Sequence, residues 1–222
     1  MKFTCFALIL LGCITIGLAD ENVAVVVKSR GDVDITPNQK VKSVDAKKGY
    51  VLQHKDKLKT AKGAFCAIKF LDDKSLLRIK ENSSCIIEGT RKKSTIEKNI
   101  FVEIGTFFAS IFKQKTTFQV TTPTSVASVK GTKFWTIQNK ITSETKYICI
   151  EGVLEVENKA GKVLVRAGQT GIVQSKTKLP IVRLTDSGDI PNEEESSSEK
   201  SLDFEFNDSN GQKKVLRLQI QD

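Results

Sequence analysis

FQVTTPTSVASVKGTKFWTI, residues 118–137, is the stretch whose reading decides the fold. Phe118 and Val120 alternate with polar neighbours before Pro123 ends a first strand, and Phe134, Trp135 and Ile137 build a second after Gly131. Pro123 removes a backbone donor and pushes Thr122 toward an extended conformation, while Gly131 gives the chain freedom in φ or room for close backbone approach. Two strands with a shaped connection are expected, with Phe118, Val120 and Phe134 in the core. No titratable group is concentrated here, which favours a structural bend over a ligand loop.

The flanking sequence repeats the strand pattern. From Gly49 to Glu88, short strands centre on Leu52, Leu58, Ala64 to Phe70, Leu76 to Ile79 and Cys85 to Ile87. Asp72-Asp73-Lys74-Ser75 closes one hairpin and Glu81-Asn82-Ser83-Ser84 another, because Asp and Asn bond their own backbone and tolerate tight turns. Thr90 to Lys98 reads as a basic loop. It leads into a phenylalanine-rich run, Phe101 to Phe112, whose aromatic and β-branched bias outweighs a short helix over 106–112 and whose density points to a core. Residues 147–173 form the clearest meander: Tyr147, Cys149, Leu154 and Val156 share a face, Gly152 marks a bend, Asn158 to Gly161 turns, and Ala167-Gly168-Gln169 bends again. Short strands at intervals of about eight to twelve residues with almost no convincing helix define an all-β protein, either a sandwich or a solenoid-like stack of hairpins.

The ends and the charge organise the chain further. Residues 1–19 carry Lys2 and then an apolar run too short to span a bilayer, ending Gly17-Leu18-Ala19, so a signal peptide cleaved before Asp20 is expected, leaving no transmembrane span in the mature chain. Leu10-Leu11-Gly12-Cys13 supports the competing reading, a lipoprotein anchored at Cys13. Residues 20–48 read as an opening hairpin around Lys28 to Gly31, 49–185 as the main β domain, 186–201 as an acidic Ser-rich linker and 202–222 as a C-terminal β-hairpin that needs a docking site. From Asp186 to Asp222 ten acids face four bases, a tail of −6; with Lys2 set aside, residues 20–185 hold +14 of a chain whose net charge is +9. Such a body either keeps strand faces soluble or attracts anionic polysaccharide or lipid head groups. Nucleic acid does not suit an exported protein.

Chemistry-bearing motifs are few. His54 is the sole histidine, no nucleophile elbow or His-Glu-x-x-His helix occurs, and no phosphate-cradling glycine loop precedes a helix. A glycosidase needs only two acids that meet in space, so it is the enzyme class that inspection leaves open. Cys66, Cys85 and Cys149 sit in strand-like alternation with apolar neighbours, as buried thiols; their wide spacing makes neither a disulfide framework nor a metal site, although one pair facing each other closely would be able to bond. No catalytic, cofactor or metal residue is assigned.

Several blocks together resemble a known family. Gly49, Leu52, Asp56-Lys57-Leu58 and Thr60, then Ile68-Lys69-Phe70 with Asp73-Lys74-Ser75, resemble the leading strands of the FecR domain. Phe118 to Pro123 with Val129 to Phe134, including Gly131 and Thr132, resemble its most distinctive stretch, and Glu151 to Val156 with Ala167-Gly168-Gln169 complete the likeness over roughly residues 49 to 175. Lys74 replaces the usual turn glycine. The resemblance implies an all-β, solenoid-like, two-layered stack of short antiparallel strands and hairpins, in which Phe118, Val120, Pro123, Gly131, Thr132, Phe134, Gly152 and Gly168 are structural motif residues. In the best-known members such a domain relays a siderophore-uptake signal from an outer-membrane receptor to a cytoplasmic sigma factor. With no cytoplasmic sigma-binding region expected ahead of the apolar run, the chain resembles the stand-alone exported type, which implies a non-catalytic interaction, sensing or scaffolding module whose partner is an envelope or periplasmic protein. The alternative is a cationic glycan- or lipid-head-group-binding envelope protein.

Overall fold

A computed structural model describes residues 22–92, 95–112, 117–192, 201–207 and 213–219. The expected signal peptide and half of the acidic linker, residues 193–200, lie outside them. The chain runs β1 (Asn22–Arg30), β2 (Val33–Thr36), β3 (Val44–Asp45), β4 (Val51–Gln53), β5 (Asp56–Thr60), β6 (Phe65–Phe70), β7 (Leu76–Ile79), β8 (Ser83–Lys92) and β9 (Thr95–Ser110). It continues through β10 (Phe118–Thr121), β11 (Val126–Val129), β12 (Lys133–Gln138), β13 (Thr145–Glu151), β14 (Val153–Asn158), β15 (Gly161–Arg166), β16 (Gln169–Val173) and β17 (Ile181–Leu184), then a short 3-10 turn, Ser187–Asp189, and the pair β18 (Ser201–Asn207) and β19 (Lys213–Gln219).

Pairing resolves the strands into two facing layers. Sheet I has the order β4-β1-β6-β7-β9-β12-β13-β16-β17. Sheet II has the order β3-β2-β5-β8-β9-β10-β11-β14-β15. Strand β9 belongs to both: up to Ile104 it pairs with β8 in sheet II, and from Gly105 it pairs with β12 in sheet I. The fold is all-β and not closed into a barrel. Period-two alternation fills the space between the layers with one core, in which Leu52, Leu58, Ile68, Phe70, Ile87, Phe107, Phe118, Phe134 and Tyr147 are fully or almost fully buried. Phe70 and Phe118 meet edge to face across it, 5.6 Å between ring centres.

The path between layers is marked in the backbone. The chain changes sheet at Gly31, Gly49, Lys55, Gly63, Asn82, Gly105, Gly131, Gly152 and Gly168, and each has positive φ. At Gly105, inside a continuous strand, the requirement is also steric: a Cβ would overlap Ser83, whose Cα stands 2.5 Å from its position.

Two expectations are corrected. The strands on either side of Lys28 to Gly31 do not pair as a hairpin, because β1 pairs with β4 and β6 whereas β2 pairs with β3 and β5; Gly31 turns the chain out of one layer into the other. The basic stretch 90–98 is not a loop: β8 and β9 pair from Lys92↔Thr95 onward. The expected all-β stack of short strands is present, with one parallel pairing in it, β10 beside β9, made after the chain has crossed to sheet I and returned. The aromatic run 101–112 is strand through Ser110, not helix. Strands β18 and β19 pair with each other, Leu202 opposite Leu218 and Phe204 opposite Leu216.

Candidate functional site

Residues 118–137 fold as three strands, not two. Phe118 to Thr121 and Val126 to Val129 make a hairpin in sheet II, closed where the Thr122 amide donates to the Ser125 carbonyl at 2.8 Å, with Pro123 and Thr124 at the tip. Strand β11 is hard to see in the sequence because its inward residues, Ala127 and Val129, bracket a serine and give a weak apolar signal. Phe118, Val120 and Phe134 are 0%, 2% and 0% exposed and enter the core.

Beneath the hairpin tip lies a buried network of hydroxyls. Thr122 Oγ1 lies 3.1 Å from Thr145 Oγ1 and 3.2 Å from Ser125 Oγ, Thr124 Oγ1 lies 2.6 Å from Thr145 Oγ1, and Ser125 Oγ lies 3.1 Å from the Tyr147 hydroxyl. Thr145 donates to Gln138 Oε1 at 2.5 Å. These groups tie sheet II to β12 and β13 of sheet I, and a connected buried network of this kind is strong only while every member is satisfied. Burial pushes the Tyr147 hydroxyl up to about 12, against the hydrogen bonds from Ser125 and Thr122. Its chemistry is structural: a neutral phenol held as a hydrogen-bonding post.

Three of the motif residues meet at the next corner. Thr132, 2% exposed, exchanges backbone hydrogen bonds with Ile111 at 3.1 and 3.0 Å, and its Oγ1 donates to the Val153 carbonyl at 3.1 Å. Gly152 packs so tightly here that a Cβ would stand 2.8 Å from the Gly131 carbonyl oxygen and 2.9 Å from Thr132 Oγ1. Gly168 stands apart, one corner further on; its amide donates to the Cys149 carbonyl at 2.9 Å, and open space surrounds its Cα.

A buried ion cluster lies beyond what sequence reasoning assigned. Lys98, with a side chain 1% exposed, places Nζ 2.8 Å from Asp72 and 2.7 Å from Asp73, and 5.4 Å above the Phe70 ring. Asp72 also accepts the Ile96 amide at 2.8 Å, and Asp73 Oδ1 accepts the Ser75 amide at 2.9 Å, so both acids shape their turn while they neutralise the lysine. The signal is present in the alternation Ile96, Lys98, Ile100, Val102, which puts one lysine on an apolar face. Asp56 is 1% exposed and accepts the amides of Asn38 and Gln53 at 3.0 and 2.9 Å.

The three thiols are free and buried. Burial pushes Cys66 up to about 12 and Cys149 up to about 11, and it raises Cys85 further, which keeps all three protonated and poorly nucleophilic. Concavities on the outside include one of about 590 Å³ beside the Pro123 tip, lined by Ser128, Glu155, Glu157, Lys159 and Lys176, and one of about 400 Å³ lined by His54, Glu88, Glu97, Asn99 and Gln119. Among the described residues, no three His, Cys, Asp or Glu side chains come together as metal ligands would, and no helix is long and apolar enough to cross a membrane.

Fold and site define a class: a layered, open β stack whose distinctive residues hold corners and core. Residues 56–157 match the family model described as FecR protein. Two crystal structures of a "putative anti-sigma factor" from Parabacteroides distasonis share the fold, each with a TM-score of 0.51 and 13% identity. One match covers 59% of this chain and 60% of that protein, the other 70% of each. No curated protein matches the chain.

Proposed function

We propose that this protein is an exported, non-catalytic FecR-domain module of the bacterial cell envelope, sensing or scaffolding through contact with an envelope or periplasmic protein. The observation that carries the reading is the FecR domain itself, matched over residues 56–157 and folded as a two-layered stack. The anti-sigma description of the proteins that share its fold supports a signalling setting. The composition of residues 1–19 supports export. A regulatory rather than enzymatic role agrees with a distinctive stretch whose polar side chains bond to one another. Outward residues of the strands and the loops at the layer edges are then the surface offered to a partner.

Crosslinking in the native cell followed by mass spectrometry tests the reading. Recovery of one specific membrane or periplasmic protein, crosslinked to outward residues of the stack, is the expected result. A chain recovered only as an uncrosslinked monomer, or only with cytoplasmic proteins, overturns it.

A further inference from the structure

Sheet I has a second apolar cluster on the face turned away from the core. Phe107, Ala109, Phe134, Tyr147 and Cys149 point inward, so the residues between them point outward. Registers place Arg78, Phe108, Trp135, Ile148, Thr170 and Arg183 in one row across β7, β9, β12, β13, β16 and β17. At its centre Phe108, Trp135 and Ile148 are 7%, 3% and 0% exposed, as covered as the core although they lie outside it. The Phe108 and Trp135 rings lie 4.9 Å apart, and the Arg78 guanidinium sits 5.4 Å over Phe108.

Part of the cover is the segment that leaves β17. Arg183 grips Asp189 with two hydrogen bonds of 2.6 and 2.7 Å, Lys146 stands 4.0 Å from the same carboxylate, and Lys80 donates to the Asn192 carbonyl at 2.5 Å. Lys146, Ile137 and Thr106 form the next row across the sheet, and the Lys80 amide bonds to the Thr106 carbonyl. Residues 189–192 therefore cross the outer face beside the Trp135 row. One extended chain spans only about 5 Å of sheet. It is itself half open, with Ile190 40% exposed, and does not enclose a cluster three strands wide.

The chain beyond Asn192 suits the remaining space. The strap leaves Asn192 on this face beside β7, and residues 193–200 reach up to about 26 Å when extended, enough to return over Trp135. The pattern Leu202-Asp203-Phe204-Glu205-Phe206, registered with Leu218 and Leu216, gives β18–β19 one apolar and one charged face. A lone hairpin is marginal in water and gains stability by laying such a face on another layer. We propose that the outer face of sheet I is the docking surface for the chain's own C-terminal hairpin, which closes over Trp135 as a partial third layer.

Trp135 is the only tryptophan, so its emission reads the cover directly. In the chain from Asp20 to Asp222 a blue-shifted maximum with weak acrylamide quenching is expected. A chain ending at Asn192 then shows a red shift and a several-fold larger quenching constant, with its far-UV strand signal retained. Phe204→Asp in the full chain reproduces the shift and covers the case in which the shortened chain fails to fold. Unchanged emission and quenching in Phe204→Asp overturn the proposal. So does a shift that disappears as protein concentration rises, which would place the hairpin on a second copy.

Discussion

Replacing Gly152 by alanine separates two demands that corner glycines meet. Its φ of +88° lies in the left-handed region, where an L side chain costs about 1–2 kcal/mol. The new methyl also arrives 2.8 Å from the Gly131 carbonyl oxygen and 3.2 Å from Thr132 Cα. Neither neighbour is the loose end of a side chain, and Thr132 is pinned in both directions to Ile111, so relief requires backbone movement, at about 1–3 kcal/mol. The sum is about 2–5 kcal/mol. Gly168→Ala is the matched control: φ is +79°, but nothing lies within 4 Å of the added Cβ, so only the conformational cost of about 1–2 kcal/mol remains. Urea denaturation of both variants, read by circular dichroism with a common slope, gives the two values. Gly152→Ala is expected to be the more destabilised by about 1–3 kcal/mol. If the two losses agree within about 0.5 kcal/mol, the close approach at Gly131 and Thr132 contributes nothing and the reasoning fails.

Lys98→Met leaves Asp72 and Asp73 without their buried cation and should cost about 3–5 kcal/mol, partly restored by adding Asp72→Asn; a loss under about 1 kcal/mol would show that the acids relax to solvent. Lys74→Gly relieves a φ of +67° in the β6–β7 turn and should raise the melting temperature, a gain of about 0.5–1 kcal/mol; a loss would mean that the lysine side chain contributes more than its strained backbone costs. For Glu103, burial pushes the carboxyl up, but hydrogen bonds from Lys57 and Ser84 and the nearby lysine charges outweigh it and hold the folded value below normal. Its stabilisation is therefore complete above the unfolded value of about 4.3 and lost as pH falls through the lower folded value. Glu103→Gln should flatten the acid limb of a stability–pH curve, and an unaltered limb would refute the pairing. Gly131→Val should unfold the domain before it affects partner binding; a stable variant that has lost its partner would reassign Gly131 to recognition.

Much of the architecture is legible in the sequence because period-two alternation is a local property. The strands around Leu58, Ile68 and Tyr147 are visible in runs of five to seven residues, and the blocks that resemble the FecR domain fix their order. Layer membership is not local. Nothing in Val23 to Ile35 states that β1 pairs with β6 and β2 with β5, since that depends on a corner at Gly31 and on partners 21 to 46 residues away. Strand β11 is concealed because alanine and serine can be buried without an apolar signature, and the Lys98 cluster because a lysine is conventionally assigned to a solvated face. The hydroxyl network is hidden for a related reason: Thr122, Thr124 and Ser125 look like turn residues and are also buried side chains. In each case the missing information is a partner distant in sequence.

The corners also explain why the domain announces itself while its partner stays silent. Nine changes of layer fall at a residue with positive φ, and Gly131, Gly152 and Gly168 are three such corners among the motif residues. Phe118, Val120 and Phe134 fill the space those corners enclose. Asp56, within the matched region, spends both carboxylate oxygens on backbone amides. A sequence constrained at these points specifies a shape and leaves outward residues of sheet II free to vary. Gln119, Ser128, Glu155 and Leu164 fall in one register row across β10, β11, β14 and β15, on the outside of sheet II. Replacing them changes the surface offered to a partner at a stability cost within about 0.5 kcal/mol. Under the proposed function, family resemblance and binding specificity are therefore written on opposite faces of the same strands, and a motif drawn from the inward face carries no information about what the outward face meets.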